Sequence, residues 1–312
     1  MNILITSAGA KVILVRDFVE SAKRHNSNVF TADLSICATG FFGSGHFLLP
    51  PLKQEMEFEE KIFEVCSKNN IRLIIPTRDE DLIYFSRTKE KFKNNGVDVL
   101  VADEEMIHTC VNKRKFSDFL KDNRLSSIPI LDHSNIHDKD FPLFVRPIIG
   151  SGSRGCFLAK SFADIESLDY NKNLIHPNII SKEYSVDVLM DLSGKNFLQA
   201  VCRERVAVSG GESKISKIVN MPEIEHTAKY ICEKLELVGH NVLQAFWVDG
   251  RVIMIEANAR FGGASNISIR AGLNSVDRIV RMFFGDETAY INQEIKSNLI
   301  MYRFSEDYIC EQ

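Results

Sequence analysis

Over its first hundred residues the chain alternates short apolar strands with segments of helical spacing, and that order leaves few folds open. Asn2–Thr6, Asn28–Ala32, Ile71–Pro76 and Val97–Val101 read as strands, and Val12–Lys23, Glu55–Ser67 and Asp79–Phe92 read as helices. Strands separated by helices predict a parallel, doubly wound sheet. Ligands of such sheets bind at the carboxyl ends of the strands. The loops Ser7-Ala8-Gly9-Ala10 and Pro76-Thr77-Arg78-Asp79-Glu80 fall there. The first turn lacks G-x-G-x-x-G, although Asp33 ends the second strand, which argues against a dinucleotide site.

A helix over Asn112–Lys121 leads out of this region, and from about residue 140 hairpins replace the alternation. Leu143–Ile149, Gly155–Lys160, Val186–Asp191, Phe197–Val206, Val242–Val248 and Val252–Ala257 read as strands, with helices at Ser161–Leu168, Glu223–Leu235 and Asn266–Phe284. The class is therefore an α/β doubly wound lobe, residues 1–110, followed by an α+β unit, residues 111–312. At 312 residues and 45% hydrophobic the chain can fill two or three packed units. A net charge of −4 with dispersed basic residues implies no affinity for nucleic acid. The start of the chain reads as a strand, not a leader, and no apolar run is long enough for a bilayer, so a cytoplasmic protein with no membrane partner is expected. Seven cysteines (37, 66, 110, 156, 202, 232, 310) are scattered without a C-x-x-C pair, as in a reducing compartment. His133 and His137 lie four apart in a polar stretch with no cysteine nearby, a poor zinc pattern.

Gly150-Ser151-Gly152-Ser153-Arg154-Gly155 matches G-x-G-x-x-G, but Cys156–Lys160 after it alternates like a strand. The loop thus joins two strands as a hairpin flap, whose backbone amides can turn to phosphate oxygens. Arg146, on the strand entering the flap, adds a cation suited to phosphate. Neither the Walker pattern nor the kinase HRD and DFG elements are present.

The stretch VIMIEANARFGG, residues 252–263, is a strand ending in Glu256, Asn258 and Arg260. Residues two apart share a strand face, so Glu256 and Asn258 present oxygens together, as a hard cation such as Mg2+ requires. Gln244, on the preceding strand, completes the set only in one register. A two-residue Asp249-Gly250 turn pairs Val248 with Arg251 and turns Gln244 away. A three-residue loop pairs Trp247 with Arg251 and sets Gln244 opposite Met254, diagonal to Glu256. The second register is the expectation, because it alone builds a metal site.

Gln244 and Glu256-Ala-Asn258-Ala-Arg260-Phe-Gly-Gly resemble the metal-binding end of the ATP-grasp superfamily, above all the carbamoyl phosphate synthetase large subunit and its short-form relatives. Asn112-Lys113-Arg-Lys-Phe116, Phe144-Val-Arg146-Pro147 with the flap, and Lys182-Glu183-Tyr-Ser-Val-Asp187 are similar to further family segments, in the family's order. The resemblance implies ATP and Mg2+, or Mn2+ in its place. It implies a glycine-flap subdomain near residues 111–182 and a metal-binding subdomain near 183–312. Lys113, Arg146, Gly150, Ser151, Gly152, Ser153 and Gly155 would meet the phosphates, Glu183 would hold the ribose hydroxyls, and Asp187 on the same strand would also belong to the nucleotide site. Gln244, Glu256 and Asn258 would hold metal, and Arg260 would steady the transferred phosphate. The hinge departs from the family pattern: it reads Ile175-His176-Pro177-Asn178-Ile179-Ile180, where Pro177 has no amide to donate, so adenine would use the backbone up to Ile180.

The implied reaction joins a small carboxylic acid to an amine through an acyl phosphate, with catalysis by positioning and charge. Arg205 is expected to act catalytically, while Arg203, Lys214, Arg270, Thr77, Asp79 and Glu80 are candidates for the substrate end. Arg203 reads equally well as a solvated edge-strand residue, and Arg270 as a helix-surface one. Relatives of this kind are commonly homodimers. The other readings are a nucleotide-binding regulatory module without turnover and a dehydrogenase-like binding protein.

Overall fold

The computed structural model describes residues 1–309; Cys310 lies outside them. The first ninety-nine residues fold as β1 (Asn2–Thr6), α1 (Val12–Lys23), β2 (Val29–Asp33), β3 (His46–Leu48), α2 (Glu55–Lys68), β4 (Ile71–Pro76), α3 (Asp79–Asn94) and β5 (Asp98–Val99). The strands form one parallel sheet in the order β3-β2-β1-β4-β5. Helices cover both faces, so β1 and β4 are apolar runs, with Ile3, Leu4, Ile5, Ile74 and Ile75 fully buried. The winding reverses between β1 and β4, which opens a crevice at their carboxyl ends. Thr77 Oγ1 closes its floor by donating to the carbonyls of Thr6 and Ser7, at 2.9 and 2.8 Å. The sequence reading misses β3, a three-residue edge strand.

Two helices lead onward, α4 (Glu104–Val111) and α5 (Lys113–Asp122). Asn112 lies between them and caps α5, its side chain accepting from the amides of Arg114 and Lys115. A small antiparallel sheet follows: β6 (Leu143–Pro147), β7 (Phe157–Ala159) and β8 (Asn173–Pro177), in the order β7-β6-β8. It has its own core of Ile136, Leu143, Val145, Ala159, Ile165 and Ile175. The helix expected at Ser161–Leu168 contracts to a 3-10 turn, Phe162–Asp164, where the Asp164 carboxylate accepts from the amides of Lys160 and Ser161. β8 occupies the stretch read as a hinge; it is an edge strand, where a proline is tolerated.

The remaining elements are β9 (Glu183–Met190), β10 (Phe197–Ser209), β11 (Glu212–Ile218), α6 (Pro222–Lys234), β12 (His240–Val248), β13 (Arg251–Asn258), α7 (Ser265–Ser268), α8 (Ser275–Phe283) and β14 (Ile300–Tyr302). Their strands form a six-stranded antiparallel sheet, β13-β12-β9-β10-β11-β14. The single helix expected over Asn266–Phe284 is broken between α7 and α8 by a π turn and a left-handed Asn274. Leu4 and Ile74 of the first sheet share a core with Val186, Leu243 and Ala257 of the large sheet. Ile5 and Phe18 likewise pack in one cluster with Val201, Phe261 and Ile279. No helix among the described residues is long and apolar enough to cross a membrane.

Candidate active site

The β12–β13 hairpin corrects the expected register. The connection is the two-residue turn, with Asp249 and Gly250 both left-handed (φ 47 and 76°), and Val248 pairs with Arg251. Pairing then runs regularly to Ala245–Met254, where β13 takes up one extra residue, Ile255, and resumes with Gln244 directly opposite Glu256. This bulge returns Gln244 to the Glu256 face, so the grouping expected from the sequence forms by a different route. One row across the large sheet now reads Glu256, Gln244, Ser185, Arg203.

Around that row Glu183 Oε1 lies 2.9 Å from Arg205 Nε. The Gln244 amide is satisfied with its nitrogen donating to Glu183 Oε1 (3.0 Å) and its oxygen accepting from Arg205 Nη1 (3.3 Å). Arg205 Nη2 donates to the Gly211 carbonyl at 3.0 Å. Burial raises the Glu183 pKa above its ordinary value, Arg205 opposes the rise, and the charge of Glu256 adds to it. Asn258 Nδ2 donates to Glu256 Oε1 at 3.1 Å, and its oxygen accepts from Arg260 Nη2 at 3.2 Å. Two mutually repelling carboxylates, Glu183 and Glu256, thus flank Gln244. A half-turn of the Asn258 amide would set its oxygen beside Glu256 Oε1. This oxygen-rich set fits a hard divalent cation such as Mg2+ that keeps water and phosphate as its other ligands.

The opposite wall comes from α5 and the small sheet. Lys113 Nζ, largely buried, donates to the Gly150 carbonyl at 2.7 Å. Burial lowers its pKa, and the nearby Glu256 partly offsets this. Arg146, also buried, donates from Nε to His176 Nε2 at 2.9 Å and from Nη1 to the carbonyl of the bulge residue Ile255 at 3.3 Å. His176 Nδ1 lies 2.8 Å from the Pro129 carbonyl, which fixes the tautomer that accepts at Nε2. The sequence reading misses His176; its only signal there was its place in the hinge. The flap residues Gly150, Ser151, Gly152 and Ser153 line the cleft with Arg154 and Cys156, while Gly155 packs towards Pro147. Gly211, in the β10–β11 turn, touches the flap so closely that a Cβ there would lie 2.7 Å from the Gly152 carbonyl carbon.

Two cavities of about 400 Å³ each meet at Gln244 and Glu256. One holds Lys113, Arg146, Glu183 and the flap. The other opens to the first sheet's crevice, with Ser7, Lys11, Asp33, Thr77, Asp79 and Glu80. Arg260 lines the second cavity, donating from Nε to Asp79 Oδ1 at 2.6 Å. Burial works against its charge, but Asp79 and Glu256 outweigh burial and raise its pKa. Glu80 faces Arg78 at 3.3 Å on the same rim.

Several expected site residues lie elsewhere. Asp187 is fully buried and cannot meet a nucleotide. It accepts from Arg203 Nε (2.7 Å) and Ser268 Oγ (2.7 Å), and also contacts His240 and Ser265. Burial alone would raise its pKa, but Arg203 and His240 hold it well below the usual carboxylate range. Arg203 is no solvated edge residue: it is 2% exposed, locked to Asp187, with Nη1 unpartnered at the cleft wall. Lys214 points to Glu212 at 3.5 Å, outside both cavities. Arg270 pairs with Asp17 of α1 in a separate pocket, outside both cavities. The Ile180 side chain is 92% exposed, and Asn178, Ile179 and Ser181 line the cleft instead.

Family models match residues 3–100 as a PylC-like N-terminal domain and residues 110–264 as an ATP-grasp domain. The chain belongs to the ATP-grasp superfamily. It is 27% identical over 227 residues to the carbamoyl phosphate synthase large chain of Pseudothermotoga lettingae, a match covering 64% of this chain but only 20% of that much longer protein. Among solved structures, the biotin carboxylase domain of Hydrogenobacter thermophilus 2-oxoglutarate carboxylase, in complex with MgADP, ADP and bicarbonate, superposes with a TM-score of 0.72 at 13% identity. That match covers 96% of this chain and 73% of the other. The L-amino acid ligase of Bacillus licheniformis superposes with a TM-score of 0.70 at 14% identity, covering 94% and 75%. At these identities the two structures speak for the fold.

Proposed function

We propose that the protein is an ATP-dependent ligase that joins a small carboxylic acid to an amine. The observation that carries this reading is the meeting of the two cavities at Gln244 and Glu256: a phosphate-suited cavity with Lys113, Arg146 and the glycine flap, and a second cavity reaching the first sheet's crevice. An ATP lying along the flap brings its γ-phosphate to the acid-and-amide row, where a carboxylate from the other cavity can reach it. The acid's oxygen attacks the γ-phosphorus, ADP leaves, and an acyl phosphate remains. The amine attacks its carbonyl, loses a proton, and phosphate departs.

Lys113 and Arg146 hold phosphate oxygens, and Arg260 and Arg205 stabilise the charge that develops on the transferred group. Gln244, Glu256 and Asn258 would hold Mg2+, which when bound neutralises phosphate charge, and Glu183 would take the ribose hydroxyls. A cytoplasmic homodimer acting on free metabolites fits this reading.

The test follows ADP release from MgATP with pooled carboxylic acids and amines, beside Glu256→Ala. The expected result is release that needs both an acid and an amine and falls at least a hundredfold in the variant, about 2.7 kcal/mol of transition-state stabilisation. ATP binding without release in any pool would favour a regulatory nucleotide-binding module instead.

A further inference from the structure

Lys11 ends the first loop of the first sheet and lines the second cavity, yet its ammonium has no hydrogen-bond or ion-pair partner among the described residues. The charges facing it come from four other elements. Arg260 follows β13 and Asp79 starts α3; Glu212 starts β11 and Arg303 follows β14. Arg260 is tied to Asp79, and Arg303 donates to Glu212 Oε2 at 2.9 Å and to the Gly263 carbonyl. Both carboxylates nearest Lys11 are therefore already engaged by arginines, and its ammonium is left without a direct partner. We propose that Lys11 is a substrate contact, its ammonium taking a carboxylate of the acid held between the first sheet's loops and Arg260. The proposal rests on the ligase reading and narrows it to acids that reach the first sheet.

The cavity division favours a carboxylate over a nucleotide phosphate. Lys113 and Arg146 belong to the cavity beyond Gln244 and Glu256, whereas Lys11 lies on the first-sheet side with Arg260. Burial, then Arg260, lowers the Lys11 pKa to about 8. A cation held among cations gains more from one bound anion than a solvated lysine does.

The test reads Lys11 directly by NMR of protein carrying 13C-labelled lysine, with Lys11→Arg identifying its signal. Probes are simple mono- and dicarboxylates, α-amino acids and inorganic phosphate, added singly with MgADP present. The expected result is that one carboxylate moves the signal saturably and lifts its titration midpoint above about 8. Lys11→Gln should weaken that probe about tenfold or more, and Lys11→Arg should retain it. The proposal falls if no carboxylate moves the signal, if inorganic phosphate alone does, or if Lys11→Gln binds the probe as wild type does. Fluorescent ATP binding, followed in parallel, separates the two readings: its loss sinks the ligase and leaves the Lys11 titration readable.

Discussion

His176 sits between an arginine that needs an acceptor and a carbonyl that needs a donor, so only the neutral ring satisfies both. Burial, reinforced by Arg146, lowers its pKa to about 4. The unfolded histidine takes its proton near pH 6.5, so the unfolded state binds more protons from there down to about 4. Stability should therefore fall as pH drops through that window, by about 3 kcal/mol, and be unaffected above pH 7. Urea unfolding of wild type and His176→Gln at matched pH checks this: the difference between the two should be independent of pH above 7 and change progressively below 6.5. The sequence carries His176 only as a hinge letter, because nothing local shows that a strand two positions away brings Arg146 onto it. Asp187 misleads for the converse reason. It shares a face with Ser185 and Glu183, but alternation does not report depth, and the packing of α7 over that end of β9 buries it.

The hairpin of β12 and β13 shows what periodicity can and cannot deliver. The three-residue loop expected there is a two-residue turn, whereas the residue types, the strand and the need for Gln244 near Glu256 were legible in the sequence. The bulge was not, because an extra residue in one strand changes the pairing without leaving a compositional mark at Ile255. Its carbonyl accepts from Arg146 and so ties the flap's entry strand, β6, to β13. The β10–β11 turn makes the second such tie. Gly211 has φ 75°, and a Cβ there would also lie 2.9 Å from the Ser153 amide nitrogen. Gly211→Ala should push the flap outward and weaken nucleotide binding about tenfold, with little loss of stability, because the turn lies outside the core. Fluorescent ATP titration and thermal unfolding of the same preparation separate those effects. Unchanged ATP affinity would mean that the flap does not depend on this contact.

Across the whole molecule, the first and large sheets share continuous cores, while the small sheet keeps a separate cluster centred on Val145 and Ile175. Opening the small sheet away from the large one exposes little apolar surface, so it should open at lower free energy than the rest. Hydrogen exchange should show β6, β7 and β8 exchanging together and faster than β1, β4, β9 and β12, and slowing when MgATP is added. Uniform protection through all three sheets would contradict this. The alternation of the first hundred residues made the parallel sheet readable, and the change of pattern near residue 140 marked the antiparallel part. The shared cores were not readable, since one cluster holds both Ile5 and Val201 and another both Leu4 and Leu243, residues about two hundred positions apart in the chain.

On the ligase reading proposed above, the bond between Asp79 and Arg260 gives the cleft an internal rival for its acid substrate. Asp79 opens a rigid helix, so its carboxylate stands at the Nε edge of Arg260 at a high and fixed local concentration. A visiting acid must displace this tethered competitor to reach that edge, and a neutral lookalike, lacking the charge, has no means to do so. The ion pair thereby sets a threshold below which stray carboxylates go unregistered, without any moving door.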